Sequence, residues 1–224
     1  SGNFGPYTGS VNSKMLKKRT ISSKPFFEID KQIYLPVKGS NSVFPLQSIY
    51  CVGRNYAAHS IEMGEDERVP PFFFSKASWA ITNSDLNYPL DTKNLQYEVE
   101  LVIAVGPDAS IFGFGIGVDL TRRDLQKKAK IEGKPWFRGK SFPGSAVVSP
   151  IILFNETIKF EDLKLRLLVN DKLKQNGSCY DMIWSPKEIM CQLSRDNTLK
   201  PGDLIFTGTP EGVGKLEKGD DVSI

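Results

Sequence analysis

Apolar positions in this chain recur mostly at every second residue, a period that predicts strands first and helices second. In the stretch 96–105, Tyr97, Val99, Leu101, Ile103 and Val105 share one face of a strand. The same period turns Glu98 and Glu100 to the opposite face, about 7 Å apart at roughly 3.3 Å per residue. Residues 111–120 repeat the device. Phe112, Phe114, Ile116 and Val118 take one face, while Gly113, Gly115, Gly117 and Asp119 take the other. A glycine-lined face lets a backbone or a ligand approach closely, and here it leads directly to a carboxylate. Further strands are expected over 48–53, ending at Gly53, over 72–76, carrying Lys76, and over 147–154. Residues 26–37 read as paired strands or a small hairpin. Leu165, Leu167 and Val169 alternate up to Asn170-Asp171, a hairpin turn signal, with a return strand from Lys172.

Three segments carry helix signals instead. Asn55 and Gly64 bracket a two-turn helix over 56–63. Thr121 and Asp124 resemble a capping box at the head of a helix over 121–132, which Gly133 ends. Residues 185–195 form an amphipathic pattern entered by Pro186, and 136–140 read as a loop. Many short strands with few short helices predict a β-rich α+β fold. The pattern places a single domain over 25–224, preceded by a flexible Gly-, Ser- and Lys-rich segment over 1–24.

Composition narrows the partners. The chain has 224 residues, 40% of them hydrophobic, enough for one substantial core. No apolar run approaches the roughly 20 residues of a membrane span, so no membrane is expected. Twenty-nine basic residues against 26 acidic ones, scattered along the chain, leave no stripe for nucleic acid. Cys51, Cys179 and Cys191 form no Cys-x-x-Cys pair and read as reduced thiols of a cytoplasmic protein. The basic run 14–19 keeps a mitochondrial presequence as the alternative, and the lack of an apolar h-region argues against secretion.

Candidate chemistry gathers on the strands. Glu98, Glu100 and Asp119 offer oxygen-only ligands, which suit Mg²⁺ first and Mn²⁺ or Ca²⁺ next. Zinc is disfavoured by a single histidine and unclustered cysteines. The competing reading is an acidic, wet strand face. His59 and Glu62 stand at i, i+3, the spacing of a base and its orienting carboxylate or of ordinary helix-surface residues. Lys76 and Lys140 read as anion contacts or surface lysines, and Lys127, Lys128 and Lys130 as a solvated face. Arg123 and Gln126 share a helix face. Thr207-Gly-Thr-Pro-Glu-Gly-Val-Gly214 lacks the Gly-Lys-Ser/Thr ending of a P-loop. Its amides and the Thr209 hydroxyl can cradle a carboxylate, or it is simply a glycine turn. Trp79, Trp136 and Trp184 are assigned to core or rim packing.

In order along the chain stand Cys51-Val-Gly-Arg-Asn-Tyr-Ala-Ala-His59, Glu62-Met-Gly, Phe72-Phe-Phe-Ser-Lys76, Tyr97-Glu-Val-Glu100, Gly117-Val-Asp-Leu-Thr-Arg-Arg-Asp-Leu-Gln126, Gly133-Lys-Pro-Trp136, Gly139-Lys140-Ser-Phe142 and Gly202-Asp-Leu-Ile-Phe-Thr-Gly-Thr-Pro-Glu-Gly-Val-Gly214. Together these blocks resemble the fumarylacetoacetate hydrolase family, in its short, single-domain acylpyruvase or fumarylpyruvate hydrolase branch. The resemblance implies a β-sandwich/β-roll α+β fold and a homodimer. It implies Mg²⁺ or Mn²⁺ on Glu98, Glu100 and Asp119, and a His59–Glu62 dyad that activates water. It also implies Lys140 against a small 2-oxo acid substrate, with Arg54, Arg123, Gln126 and Thr209 positioning that substrate. The implied reaction is cleavage of an acylpyruvate, with oxaloacetate decarboxylation or tautomerisation as the alternative. The chain departs from the family pattern in a shorter connection over 106–110, in Ala77 after the lysine, and in Pro143.

Overall fold

The computed structural model describes residues 26–27, 32–56, 69–82, 85–196 and 199–224. The chain divides into two compact units, Ser1–Lys31 and Gln32–Ile224, and the second carries the architecture described next. It is a strand-rich α+β fold, as the alternation predicts.

The centre is an antiparallel hairpin of β7 (Val99–Val105) and β8 (Ile111–Asp119). Around it an eight-stranded sheet runs in the order β4 (Phe72–Lys76), β3 (Ile49–Gly53), β14 (Leu204–Phe206), β7, β8, β10 (Ala146–Val148), β5 (Ile81–Thr82), with β11 (Ile152–Leu153) also paired to β8. Every residue of β7 is buried. One face, bearing Val99, Leu101, Ile103 and Val105, packs with Leu165, Leu167, Ile189 and Leu193. Those partners come from β12 (Lys164–Val169) and helix α3 (Pro186–Asp196). The other face, bearing Val102 and Ala104, packs with Leu35, Phe44, Ile151 and Phe206. Each fully covered Val, Leu or Ile stabilises the fold by roughly 1.5–3 kcal/mol, so burial on both faces of β7 anchors the centre of the sheet.

The glycine face of β8 admits protein rather than a ligand. A Cβ at Gly117 would meet Val102 Cγ2 and the Val147 carbonyl oxygen, each at 2.7 Å, and Phe206 at 2.9 Å. The short connection 106–110 is closed by Gly106 N–H donating to Ser110 O at 2.8 Å.

Several boundaries differ from the sequence reading. The strand expected over 96–105 breaks at Glu98, because β6 (Leu95–Tyr97) leaves the main sheet to pair with β9 (Thr121–Arg122) and β15 (Gly214–Lys215). The hairpin expected within 26–37 instead pairs β1 (Tyr34–Pro36) with β2 (Val43–Pro45), across the turn at Gly39. The strand over 147–154 is two strands, β10 and β11, interrupted around Pro150.

The helix expected from Thr121 starts later, as α1 (Arg123–Ile131), and no side chain caps it. Tertiary partners claim both supposed capping residues. Thr121 Oγ1 accepts from Lys140 Nζ at 2.7 Å, and Asp124 accepts from Thr92 Oγ1 at 2.6 Å and Lys93 N–H at 2.9 Å. The loop over 136–140 contains the short helix α2 (Phe137–Lys140). By contrast, α3 begins with a working capping box, in which Glu188 accepts from the Ser185 N–H and hydroxyl at 2.8 and 2.7 Å. The Asn170-Asp171 turn has both residues at positive φ, 50° and 60°, and joins β12 to β13 (Lys172–Ser178) as expected.

Candidate metal centre

The break before β7 places Glu98 at the mouth of the central hairpin. Glu98 O accepts the Asp119 N–H at 2.8 Å, so these two residues are tied across the strands by main chain. Glu100 pairs in register with Gly117, two residues before Asp119. One carboxylate oxygen from each of the three acids lies within 4.8 Å of the others. Their exposures are 8% for Glu98, 2% for Glu100 and 1% for Asp119, which excludes the wet acidic face.

Three buried carboxylates repel one another and resist desolvation unless cations meet them. Lys140 Nζ donates to Glu98 Oε2 at 2.7 Å and to Asp119 Oδ2 at 2.8 Å. Lys76, read from sequence as a surface or anion contact, is buried instead. Its Nζ lies 2.8 Å from Asp119 Oδ1 and donates to Leu120 O at 3.2 Å and to the Lys140 carbonyl. Arg123 donates to Glu98 Oε1.

Glu100 is the exception. Among the described residues no cation pairs with it, and its Oε2 accepts the Gly208 N–H at 2.7 Å. Gly208 sits at φ +99°, and a Cβ there would meet Asn55 Cβ at 2.8 Å, so only glycine brings this amide to Glu100.

These arrangements set the protonation preferences. Burial, then the charges of Asp119 and Glu98, push Glu100 well above the usual carboxylate range. Burial also pushes Asp119 upward, but Lys140 and Lys76 outweigh it and hold the net value below the usual range. Burial works against charge on Lys140, yet Asp119 and Glu98 prevail and hold its ammonium above the ordinary lysine range. Asp119 Oδ1, although close to Lys76, lacks hydrogen-bond geometry to any partner. A buried acid without a cation, its oxygen within 4.8 Å of oxygens from two further buried carboxylates, fits a divalent cation held by oxygen ligands.

A cleft of about 270 Å³ opens over these groups. Glu98, Glu100 and Lys140 line its floor, with Arg123, Gln126 and Thr209 beside them. Arg123 donates Nε to Gln96 Oε1 and Nη1 to Gln126 Oε1, both at 2.7 Å, so its guanidinium is largely committed to protein partners. Arg54 lies at the rim at φ +59°. Phe72, Phe74 and Trp136 form an aromatic wall, with Phe72 edge-on to Trp136 at 5.2 Å between ring centroids. Lys130, expected on a solvated face, lies 4.6 Å over the Trp136 ring and lines the cleft. Partial burial, then Arg123 and Arg54, lower its affinity for a proton.

A shallower hollow of about 360 Å³ between Ser110 and α3 lies apart from the carboxylates.

The structure therefore brings together Arg54, Glu98, Glu100, Asp119, Arg123, Gln126, Lys140 and Thr209. His59, Glu62 and the helix expected over 56–63 lie outside the described residues. The expected N-cap Asn55 donates its Nδ2 to Trp184 O at 2.9 Å and Thr207 O at 2.8 Å, and its Oδ1 accepts the Trp184 N–H at 2.8 Å. Phe72, Phe74, Lys130 and Trp136 line the cleft beyond the residues expected there from the sequence, and Lys76 pairs with Asp119 beneath it. The blocks Phe72-Phe-Phe-Ser-Lys76 and Gly133-Lys-Pro-Trp136 were the available signal. No helix among the described residues is long and apolar enough to cross a membrane.

Residues 48–224 match the family model described as fumarylacetoacetate (FAA) hydrolase C-terminal, and the chain belongs to the fumarylacetoacetate hydrolase family. The oxaloacetate tautomerase YcgM of Escherichia coli is 36% identical over 194 residues, covering 81% of this chain and 89% of its own. The human mitochondrial oxaloacetate tautomerase FAHD1 is 37% identical over 188 residues, covering 79% and 85%. Among solved structures, the fumarylpyruvate hydrolase of Pseudomonas aeruginosa, in complex with Mn²⁺ and pyruvate, superposes with a TM-score of 0.82 at 39% identity. That match covers 89% of this chain and 93% of the other.

Proposed function

We propose that this protein is a divalent-metal-dependent hydrolase of acylpyruvates, 2,4-dioxo acids such as fumarylpyruvate or acetylpyruvate, yielding pyruvate and a carboxylic acid. The observation that carries this reading is the buried meeting of Glu98, Glu100 and Asp119 at the floor of a cation-lined cleft. Those three residues would hold Mg²⁺ or Mn²⁺. When bound, such an ion supplies Lewis-acid polarisation of a 2-oxo acid and compensates the charge of a departing enolate. The Pseudomonas enzyme's complex with Mn²⁺ and pyruvate supports the substrate class, since pyruvate is the portion all acylpyruvates share.

The chain's own residues divide the remaining work. His59, backed by Glu62, takes a proton from water, and the water oxygen attacks the C4 carbonyl. The C3–C4 bond then breaks, its electron pair stays on C3, and pyruvate leaves as its enolate. His59 returns the proton to C3. Lys140, fixed between Glu98 and Asp119, keeps a positive charge beside the reacting oxygens. Gln126 has its Oε1 occupied by Arg123, so its amide N–H₂ donates to the acid, alongside Arg54 and Thr209. The aromatic wall keeps bulk water from the reacting carbons.

The oxaloacetate tautomerases among the relatives favour a second reading, tautomerisation or decarboxylation of oxaloacetate at the same centre. That chemistry needs no activated water.

Ultraviolet absorbance with acetylpyruvate, fumarylpyruvate and oxaloacetate, each with and without Mg²⁺ or Mn²⁺, tests both. Metal-dependent consumption of an acylpyruvate, lost in His59→Ala, is the expected result. Turnover of oxaloacetate alone, kept in His59→Ala, establishes the second reading, and no turnover of any of the three acids overturns both. We also propose a homodimer, which a monomer mass by light scattering would remove.

A further inference from the structure

We propose that Gln175 is a positioning residue that makes the Thr209 hydroxyl a hydrogen-bond donor to the carboxylate of the bound acid; this rests on the function proposed above. Gln175 belongs to β13, whose neighbouring residues Lys172, Leu173, Lys174 and Asn176 are exposed, yet it is itself only 1% exposed. A buried primary amide needs both ends satisfied. Its Oε1 accepts the Val99 N–H at 2.9 Å. Its Nε2 donates to Thr209 Oγ1 at 2.9 Å and to Pro210 O at 3.0 Å. The amide cannot be reversed, because Val99 N–H only donates and Pro210 O only accepts.

That orientation has a consequence for Thr209. With one lone pair of its oxygen taken by Gln175, its own proton must be directed to another acceptor. Among the described residues none is hydrogen-bonded to it, and Thr209 is partly exposed in the lining of the cleft. An anionic acid in that cleft supplies the acceptor. Arg123 treats Gln126 in the same way, occupying its Oε1 and leaving the donor end.

The other end of Gln175 is equally specific. Val99 stands between Glu98 and Glu100, so a single amide spans from the carboxylate strand to the turn that carries Thr209. The turn is also seated by main-chain packing on either side of Gln175. A Cβ at Gly212, at φ +93°, would lie 2.5 Å from Lys174 O, and a Cβ at Gly177 would lie 2.4 Å from Pro210 Cβ. The seat therefore survives a change of the Gln175 side chain, while the direction of the Thr209 proton does not.

The test measures pyruvate affinity by calorimetry on Mn²⁺-loaded wild type, Gln175→Met, Thr209→Val and the double variant, with thermal melts alongside. Loss of one such hydrogen bond predicts about tenfold weaker pyruvate binding in each single variant. The double variant should be no weaker than Thr209→Val alone, and Thr209→Ser, which keeps the hydroxyl, should recover most of the affinity that Thr209→Val loses. A second substitution, Gln175→Glu, keeps the Val99 bond but offers Thr209 an acceptor. It should draw the hydroxyl proton out of the cleft and weaken pyruvate at least as much.

Full additivity of Gln175→Met and Thr209→Val overturns the inference, as does a lowered melting temperature in both Gln175 variants with pyruvate affinity unchanged. If Mn²⁺-loaded wild type binds no pyruvate, the proposed function itself has failed and the inference falls with it.

Discussion

Two hairpins in this protein set core-facing apolar residues at the same period of two and differ in what their second faces meet. In β12 the off-face residues Lys164 and Arg166 are exposed, while Leu165 and Leu167 are buried. In β7 the off-face residue Glu100 is as buried as its apolar neighbours, and Glu98 just before the strand is nearly so. Period two assigns residues to faces; what covers the second face decides whether a charge there is decoration or machinery. Over β12 that face meets water. Over β7 it meets Leu35, Phe44 and Phe206, then Lys140 and Lys76 at the end where the acids stand. The β12–β13 hairpin nevertheless contributes one inward polar group, Gln175, and sends it to β7.

The sharpest way to break this contrast is to remove the acids. Glu98→Ala or Asp119→Ala should cost roughly a thousandfold or more in turnover if several kcal/mol of Lewis-acid stabilisation go with them, with circular dichroism showing a retained fold. Arg166→Ala, the corresponding polar position of the other hairpin, should leave turnover unchanged. Equal losses in the two hairpins would remove the distinction.

Truncating the shared apolar face follows in size. Leu167→Ala should lower stability by about 2–5 kcal/mol in chemical denaturation, as cavity formation in a packed core does. Leu173→Ala, on the exposed side of β13, should fall within about 0.5 kcal/mol of wild type.

Metal should act on one hairpin alone. At a hundredfold excess over Kd a bound ion contributes about 2.7 kcal/mol, which for a unit of this size is roughly 5–10 °C in melting temperature. The Mn²⁺-induced shift should be present in Arg166→Ala and lost in Glu100→Gln.

The smallest effect lies outside both hairpins. Burial alone would raise the Asp124 carboxyl, but hydrogen bonds from Thr92, Lys93 N–H and Leu125 N–H hold it below the usual range. A folded value below the unfolded one stabilises above about pH 3.9, and this is lost as pH falls through the folded value. Asp124→Ala should therefore cost on the order of 1 kcal/mol at neutral pH. The gap in melting temperature from wild type should close in strong acid.

What was legible in the sequence follows from how far each signal travels. Local rules suffice for the alternation of β8, the Asn170-Asp171 turn and the helix entered by Pro186, because each signal is written in adjacent residues. The same rules mislead at Thr121 and Asp124. Lys140, 19 positions away, and Thr92, 32 positions away, outcompete the helix terminus for their side chains. Lys76 reads from sequence as an anion contact or a surface lysine because Asp119, its buried partner, is distant in sequence. Gln175 carried no signal at all, with partners 76 and 34 positions away. The candidate carboxylates were found because two sit on one strand and the third ends a glycine face. The aromatic wall was passed over because Phe72 and Trp136 meet only in the folded chain.

The rim of the cleft has a different origin from its floor. Arg54, Phe72, Lys130, Trp136 and Val213 come from four separate segments, whereas Glu98, Glu100 and Asp119 stand at one end of one interlocked hairpin. An exchange of rim residues leaves the Glu98–Asp119 main-chain bond and the Gly208 amide untouched. Point changes around the opening can therefore reshape the cleft while its carboxylate floor is inherited whole.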